Sequence, residues 1–144
     1  MKKKNTLLLF LCLFSLWAVA QEKKPVKIAC VGNSITYGSG IKNQFQNSYP
    51  GLLSQLLGEG YDVRNFGISA RVLLNKGDHP YMHEQKFRDL LAFQPDIVTI
   101  KLGTNDSKPW NWRYGKDFKK DLTEMLDILQ ELPSKPKIYL CLPV

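Results

Sequence analysis

Short apolar runs alternate along the chain with longer amphipathic segments. The runs are compact, rich in Val, Ile and Leu, and mostly end at a glycine, which is typical of buried β-strands. They cover residues 26–31, 61–66, 96–102 and 137–142. Between them, leucine and phenylalanine recur at helical spacing, which predicts helices over about 48–57, 81–93 and 116–132, the first with Ser48 as its N-cap.

This alternation of strands and helices predicts one α/β domain with a parallel sheet. Right-handed crossovers place helices on both faces of such a sheet. We expect a three-layer α/β/α fold with a flavodoxin-like strand order of 2-1-3-4 and a fifth strand missing from this stretch of chain. The second run alternates apolar and polar residues, which favours a position near the sheet edge. Ligands bind at the carboxyl ends of such strands, so the loops after the first three strands should share one rim.

The first twenty residues have a pattern of their own. Three lysines open the chain, an apolar run covers residues 7–17, and the small residues Ala18, Val19 and Ala20 follow. This pattern predicts a secretory signal peptide that is cleaved after Ala20. The apolar run is shorter than the roughly 20 residues that a membrane helix needs. We therefore expect a secreted or periplasmic domain over residues 21–144, with no stable membrane insertion once the signal is removed.

Charge and cysteine content narrow the classes of partner. The formal net charge is +7, but the basic residues are scattered and three lie in the predicted signal peptide, so no patch favours nucleic-acid binding. No cluster of His, Cys, Asp and Glu has ligand spacing, and we expect neither a metal nor a cofactor. Cys30 and Cys141 belong to strands that the expected order separates by a third strand, too far for a disulfide. They are predicted to be buried free thiols.

Three loops of the predicted rim carry groups suited to acyl transfer. Ser34 lies just past the first strand, where a sharp turn exposes its hydroxyl as a nucleophile. The chemistry also needs donors for the oxygen that becomes negative in the tetrahedral intermediate. Gly67 in the second loop offers an unobstructed backbone N–H, and Asn105 in the third loop offers an uncharged amide. Together with the N–H of Ser34, these groups would form an oxyanion hole of three donors.

These segments resemble the sequence blocks of a known family, the SGNH hydrolases or GDSL-type esterases. In this chain, Gly-Asn-Ser-Ile-Thr at 32–36 resembles the first block of the family. The glycine of Asn-Phe-Gly at 65–67 resembles the second block, and Gly-Thr-Asn-Asp at 103–106 resembles the third. Each block alone is a weak signal, but three in order, each directly after a predicted strand, are specific. The resemblance implies a serine esterase that forms an acyl-enzyme on Ser34, with Gly67 and Asn105 stabilising the oxyanion.

The chain departs from the family pattern at two places. Asn33 stands where the family usually has an aspartate, which keeps an acceptor oxygen and removes the charge. The family also carries its catalytic histidine in a late Asp-x-x-His block, which is absent from these 144 residues. We expect that block to follow Val144. His79 and His83 are the alternative sources of a general base, because both lie downstream of Gly67 on the same rim.

The loop after the third strand indicates a substrate. Trp110 and Trp112 offer ring faces that suit sugars, while Arg113, like Arg71 in the second loop, suits a carboxylate. Packing of both tryptophans onto the third long helix is an equal alternative. We place Asn33 with these four residues on the substrate-binding side. The family resemblance implies a carbohydrate O-acetylesterase, of which sialate O-acetylesterases are an example, acting on a small acylated sugar.

Other functions fit the residues less well. The glycine-rich loop 32–40 lacks the Gly-Lys-Ser/Thr ending of a P-loop and the Gly-x-Gly-x-x-Gly of a dinucleotide site. Thr36 replaces the second glycine of an α/β-hydrolase elbow. The alternative to the esterase is a carbohydrate-binding pseudoenzyme that kept the fold and lost its base.

Overall fold

Four parallel strands form one sheet in the computed structural model, which describes residues 24–143. They are β1 (Val26–Gly32), β2 (Tyr61–Gly67), β3 (Ile97–Lys101) and β4 (Lys137–Leu140). The order is β2-β1-β3-β4, which confirms the predicted order and the edge position of β2. The strands coincide closely with the predicted apolar runs, because a parallel sheet covered on both faces needs near-continuous apolar sequence.

Helices connect the strands in the expected alternation. The α-helices are α1 (Ser34–Tyr37), α2 (Gln44–Asn47), α3 (Tyr49–Leu57), α4 (Gln85–Phe93), α5 (Pro109–Trp112) and α6 (Phe118–Gln130). Two 3-10 turns cover Tyr81–His83 and Gly115–Asp117. The longer helices α3, α4 and α6 are those that the leucine spacing predicts. The four-residue helices were not predicted, because they are too short to show a hydrophobic period.

Helices cover both faces of the sheet. Alternate residues of β1 point to opposite faces, and on one side Ala29 and Val31 join the main core. That core also contains residues of α4 and α6, namely Phe87, Leu90, Phe93, Met125 and Leu129. On the other side Cys30 meets Tyr49 of α3 and Thr99 of β3. The fold is therefore the predicted three-layer α/β/α arrangement.

Three local expectations are wrong. The helix predicted over 81–93 is interrupted at Glu84, whose backbone is extended, so a 3-10 turn precedes α4. Ser48 occupies the N-cap of α3, but its hydroxyl is buried without a hydrogen-bond partner within residues 24–143. Cys141 is exposed, because it follows β4, an edge strand whose side chains are largely uncovered in the described chain. Cys30 is buried and both thiols are free, as predicted.

Within 24–143 no helix combines the length and the apolar character needed to cross a bilayer. The predicted signal peptide, residues 1–20, lies outside this range, and secretion stays a prediction.

Candidate active site

Three strands end level with one another at the edge where the site is predicted. Gly32, the last residue of β1, pairs with Gly67 at the end of β2 and with Lys101 at the end of β3. The N–H of Ile68 donates to the Gly32 carbonyl at 3.0 Å, which continues this register into the loop after β2. The loops that follow the three strands therefore leave the sheet from a single rim, as the topology predicts.

Ser34 is the first residue of α1, directly after the sheet, and its side chain is partly exposed. Gly38, with φ of +87°, ends this short helix and donates its N–H to the Ser34 carbonyl at 2.9 Å. The first N–H groups of a helix have no acceptor within it. The backbone N–H of Ser34 is therefore available to a ligand beside its own hydroxyl.

Asn33 forms the cap of this turn. Its Oδ1 accepts the N–H of Ile35 at 3.0 Å, which fixes the backbone on either side of Ser34. The residue is 1% exposed, and its Nδ2 has no hydrogen-bond partner among the described residues. Asn33 is thus a buried cap that orients the nucleophile turn, which corrects its expected place on the substrate-binding side.

Two glycines allow α1 to lie directly against the strand ends. A Cβ on Gly67 would collide with the backbone nitrogen of Tyr37 and lie 2.8 Å from the carbonyl carbon of Thr36. A Cβ on Gly32 would lie 2.8 Å from the Lys101 carbonyl oxygen. No side chain fits at either position, so these glycines seat the nucleophile turn on the sheet.

The loop after β2 offers a different donor from the one predicted. The N–H of Gly67 donates to Oδ1 of Asn65 at 2.9 Å, so it is already engaged. Farther along the loop, Ala70 has a φ of +66°, and its N–H meets no acceptor within residues 24–143. Sequence reasoning missed Ala70, because glycine is the residue that normally signals a left-handed backbone and an alanine gives no such sign.

Asn105 lies on the same rim and is held at both its side chain and its backbone. It is 9% exposed, and its Nδ2 donates to the Arg71 carbonyl at 3.0 Å. Nδ2 of Asn111 donates to the Asn105 carbonyl, also at 3.0 Å. An amide nitrogen carries two hydrogens, so one of those on Asn105 is left for a ligand.

Arg71, expected as a partner for a substrate carboxylate, has an internal partner. Its Nε and Nη2 both lie 2.8 Å from Oε1 of Glu84, and its Nη1 donates to the Ser69 carbonyl at 3.0 Å. The Arg71 and Glu84 side chains are only 25% and 30% exposed. The guanidinium is therefore neutralised within the protein, and its contact with a substrate carboxylate stays a prediction.

Asp106 joins the loops after β2 and β3. This fully buried carboxylate accepts the N–H groups of Leu73 and Leu74, each at 2.8 Å from Oδ1. Burial raises the pKa of the Asp106 carboxyl, while the two backbone hydrogen bonds act to lower it. The sequence places Asp106 in the third block but gives no sign of this partnership across more than thirty residues.

The two tryptophans after β3 are each anchored and still 54% exposed. Nε1 of Trp110 donates to Asp78 at 3.1 Å, and Asn111 donates to the same carboxylate at 3.1 Å. Burial alone would raise the pKa of the Asp78 carboxyl, but these hydrogen bonds and the neighbouring His79 together outweigh it, and the pKa is lowered. Trp112 packs on Phe118, with ring centroids 6.1 Å apart. The rings both pack the loop and present surface to solvent.

The other candidate groups near the rim are exposed. Arg113 stacks on Tyr114, with the guanidinium 4.7 Å from the ring centroid. His79 and His83 are both exposed, and no hydrogen bond within the described residues links either one to Ser34. No three His, Cys, Asp or Glu side chains of residues 24–143 cluster as a metal site requires.

The sheet order and the groups at its carboxyl edge are those of the SGNH hydrolase fold, and comparison with known proteins agrees. Residues 30–144 match the GDSL-like Lipase/Acylhydrolase family. The chain belongs to this family.

Several known proteins are similar to this chain. It is 47% identical over 142 residues to an acetylxylan esterase of Xylanibacter ruminicola, a match that covers 87% of this chain and 30% of that protein. The fold is similar to AlinE4, an SGNH-hydrolase family esterase, with a TM-score of 0.59, 23% identity, and coverage of 81% of this chain and 58% of that one. It is also similar to Est24, a carbohydrate acetylesterase from Sinorhizobium meliloti, with a TM-score of 0.61 and 21% identity. That match covers 80% of this chain and 62% of Est24. The chain therefore spans less than a third of the curated relative.

Proposed function

We propose that this chain is the nucleophile-bearing part of a serine esterase that removes O-acetyl groups from a carbohydrate. The observation that carries the proposal is the position of Ser34, whose hydroxyl and free N–H open α1 on the rim that also bears the Asn105 amide. A nucleophile and oxyanion donors must surround one carbonyl for acyl transfer. The acetylxylan esterase relative supports the same chemistry.

In the proposed reaction, Oγ of Ser34 attacks the acetyl carbonyl carbon, and the carbonyl oxygen becomes an oxyanion. The N–H of Ser34 and the free hydrogen of Asn105 Nδ2 donate to that oxyanion. We propose Ala70 as the third donor in place of Gly67, because the Gly67 N–H is bonded to Asn65 and the Ala70 N–H has no acceptor in the described part of the chain. Collapse of the intermediate releases the sugar hydroxyl and leaves Ser34 acetylated. Water then cleaves this acyl-enzyme to give acetate.

A general base must take the Ser34 proton and later activate the water. The family resemblance implies a histidine from an Asp-x-x-His block, and residues 24–143 contain no such block. His79 and His83 are weaker candidates, since both are exposed and neither is hydrogen-bonded to the nucleophile. A base needs hydrogen-bond reach to the hydroxyl in the working complex.

For the sugar, we propose an acetylated neutral polysaccharide of the xylan type ahead of an acetylated sialic acid. The relative whose name states a substrate is an acetylxylan esterase. Recognition of a sialic acid carboxylate would need a cation, and of the two arginines suited to that role Arg71 is paired with Glu84, which leaves the exposed Arg113. The half-exposed rings of Trp110 and Trp112 suit the flat faces of pyranose units.

The test is acetate release by the intact protein from acetylated xylan and from acetylated sialic acid. Ser34→Ala should lower turnover by about 10³-fold or more, as for other serine nucleophiles. Ser54→Ala, a serine on α3 away from the rim, is the matched control and should behave as wild type. Turnover that survives in Ser34→Ala would remove this serine from the mechanism. Binding of the sugar with no acetate release by wild type would favour the pseudoenzyme.

A further inference from the structure

We infer that Arg71 is a positioning residue that, together with Glu84, sets the direction of two oxyanion donors. This inference rests on the proposed esterase function and assigns Arg71 a part in it other than substrate binding. Its side chain and its backbone carbonyl contact two different donor-bearing segments, which places Arg71 between them.

The first contact acts on the peptide that carries the Ala70 N–H. Nη1 of Arg71 donates to the Ser69 carbonyl at 3.0 Å. The Ser69 carbonyl and the Ala70 N–H belong to one planar trans peptide unit, so they point in opposite directions. Fixing the carbonyl oxygen therefore fixes the direction of the N–H. A cation on the carbonyl also polarises the peptide and strengthens the N–H as a donor.

The second contact acts on the amide of Asn105. The backbone carbonyl of Arg71 accepts one Nδ2 hydrogen of Asn105 at 3.0 Å. With that hydrogen committed, the rotation of the amide is fixed and its second hydrogen has one direction available. The position of the Arg71 backbone therefore decides where Asn105 donates.

Glu84 holds the guanidinium in place. Its Oε1 lies 2.8 Å from both Nε and Nη2 of Arg71, which leaves Nη1 for Ser69. The pair is about three-quarters buried, so the fork is less mobile than a surface ion pair. A lysine has a single point of charge and cannot bond Glu84 and Ser69 in this forked geometry. Glu84 occupies the N-cap position of α4, which ties the ion pair to the start of a helix.

The experiment compares Arg71→Met, Arg71→Lys and Glu84→Gln with wild type in the intact protein. For each variant, kcat, KM and Tm are measured, together with the affinity for a boronic acid, which adds to the serine hydroxyl and so mimics the tetrahedral intermediate. The control is Asp62→Asn. Asp62 lies near the start of β2, at the end of the strand away from the rim, and its carboxylate accepts two hydrogen bonds from Arg64. We expect kcat to fall about 10-fold or more in Arg71→Met, with KM nearly unchanged and boronate affinity reduced by the same factor. For Arg71→Lys and Glu84→Gln, kcat and boronate affinity should lie between those of Arg71→Met and wild type. For Asp62→Asn, both should equal those of wild type.

Three results would overturn the inference. One is a raised KM with unchanged kcat, which would return Arg71 to substrate binding. Another is an equal loss in Asp62→Asn, and the third is a lowered Tm with full kcat, which would make the pair purely structural. If Arg71→Met does not fold, the isosteric Glu84→Gln decides the question by the same readouts. Activity retained by Ser34→Ala would instead refute the proposed function, so the two failures are distinguishable.

Discussion

Nδ2 of Asn111 donates to the backbone carbonyl of Asn105 at 3.0 Å, and Asn111 itself is 1% exposed. The other end of the same amide accepts the backbone N–H of Asp78 at 2.9 Å. One buried side chain thus joins the loop after β3 to the loop after β2. The placement of the proposed oxyanion donor depends on this joint as well as on Asn105 itself.

Asn111→Ala should destabilise the protein by about 2–4 kcal/mol, because it leaves the buried Asn105 carbonyl and the part-buried Asp78 N–H without their partner. Urea unfolding measures the free energy. Asn47→Ala is the matched control, since Asn47 is exposed and its side-chain amide donates to the Lys42 carbonyl. A loss in Asn111→Ala no larger than in the control would show that the joint contributes little.

Asn105→Ala should cost roughly 2.7–4 kcal/mol of transition-state stabilisation, the range for removal of one oxyanion donor. The fall should be in kcat, since the oxyanion exists only in the transition state and intermediate. Steady-state kinetics on an acetyl ester checks this. An unchanged kcat would mean that the Asn105 amide does not face the oxyanion.

Ala70→Gly should keep activity and raise stability by up to about 1 kcal/mol. The left-handed backbone at φ of +66° costs an alanine about 1–2 kcal/mol, and glycine is free of this strain but loses more chain entropy. Ala70→Val should lower both Tm and kcat, because a β-branched residue resists this conformation. Equal Tm values for Ala70→Gly and Ala70→Val would show that the backbone strain at position 70 does not affect stability.

The pH dependence of the free energy of unfolding should reveal the raised pKa of the Asp106 carboxyl. Burial raises the pKa of this carboxyl in the folded state above 3.8, the ordinary pKa of an aspartate. The native state therefore holds the proton more tightly than the unfolded chain does. Stability from this group is therefore gained as the pH falls through the folded pKa and is complete below the unfolded pKa. The stability of wild type relative to Asp106→Asn should increase between pH 7 and about 4 in urea titrations. A change in the opposite direction would mean that the Leu73 and Leu74 hydrogen bonds outweigh burial.

Much of the fold follows from local pattern. Apolar runs bounded by glycine mark the strands, and leucine spacing marks the long helices. The rules for parallel crossovers then give the strand order, which the structure confirms. The same rules bring the loops of Ser34 and Asn105 to one rim, and no side-chain detail is needed for that step.

The sequence by itself determined the architecture, the family blocks and the residue types at the carboxyl edge. Only the tertiary structure decided which of those groups are free. The Gly67 N–H is bonded to Asn65, Arg71 is paired with Glu84, and one hydrogen of Asn105 is taken by a carbonyl more than thirty residues earlier. Hydrophobic periodicity is a local property that burial enforces along each element. Hydrogen-bond partners depend on angles and distances between loops far apart in the chain, which no local pattern encodes.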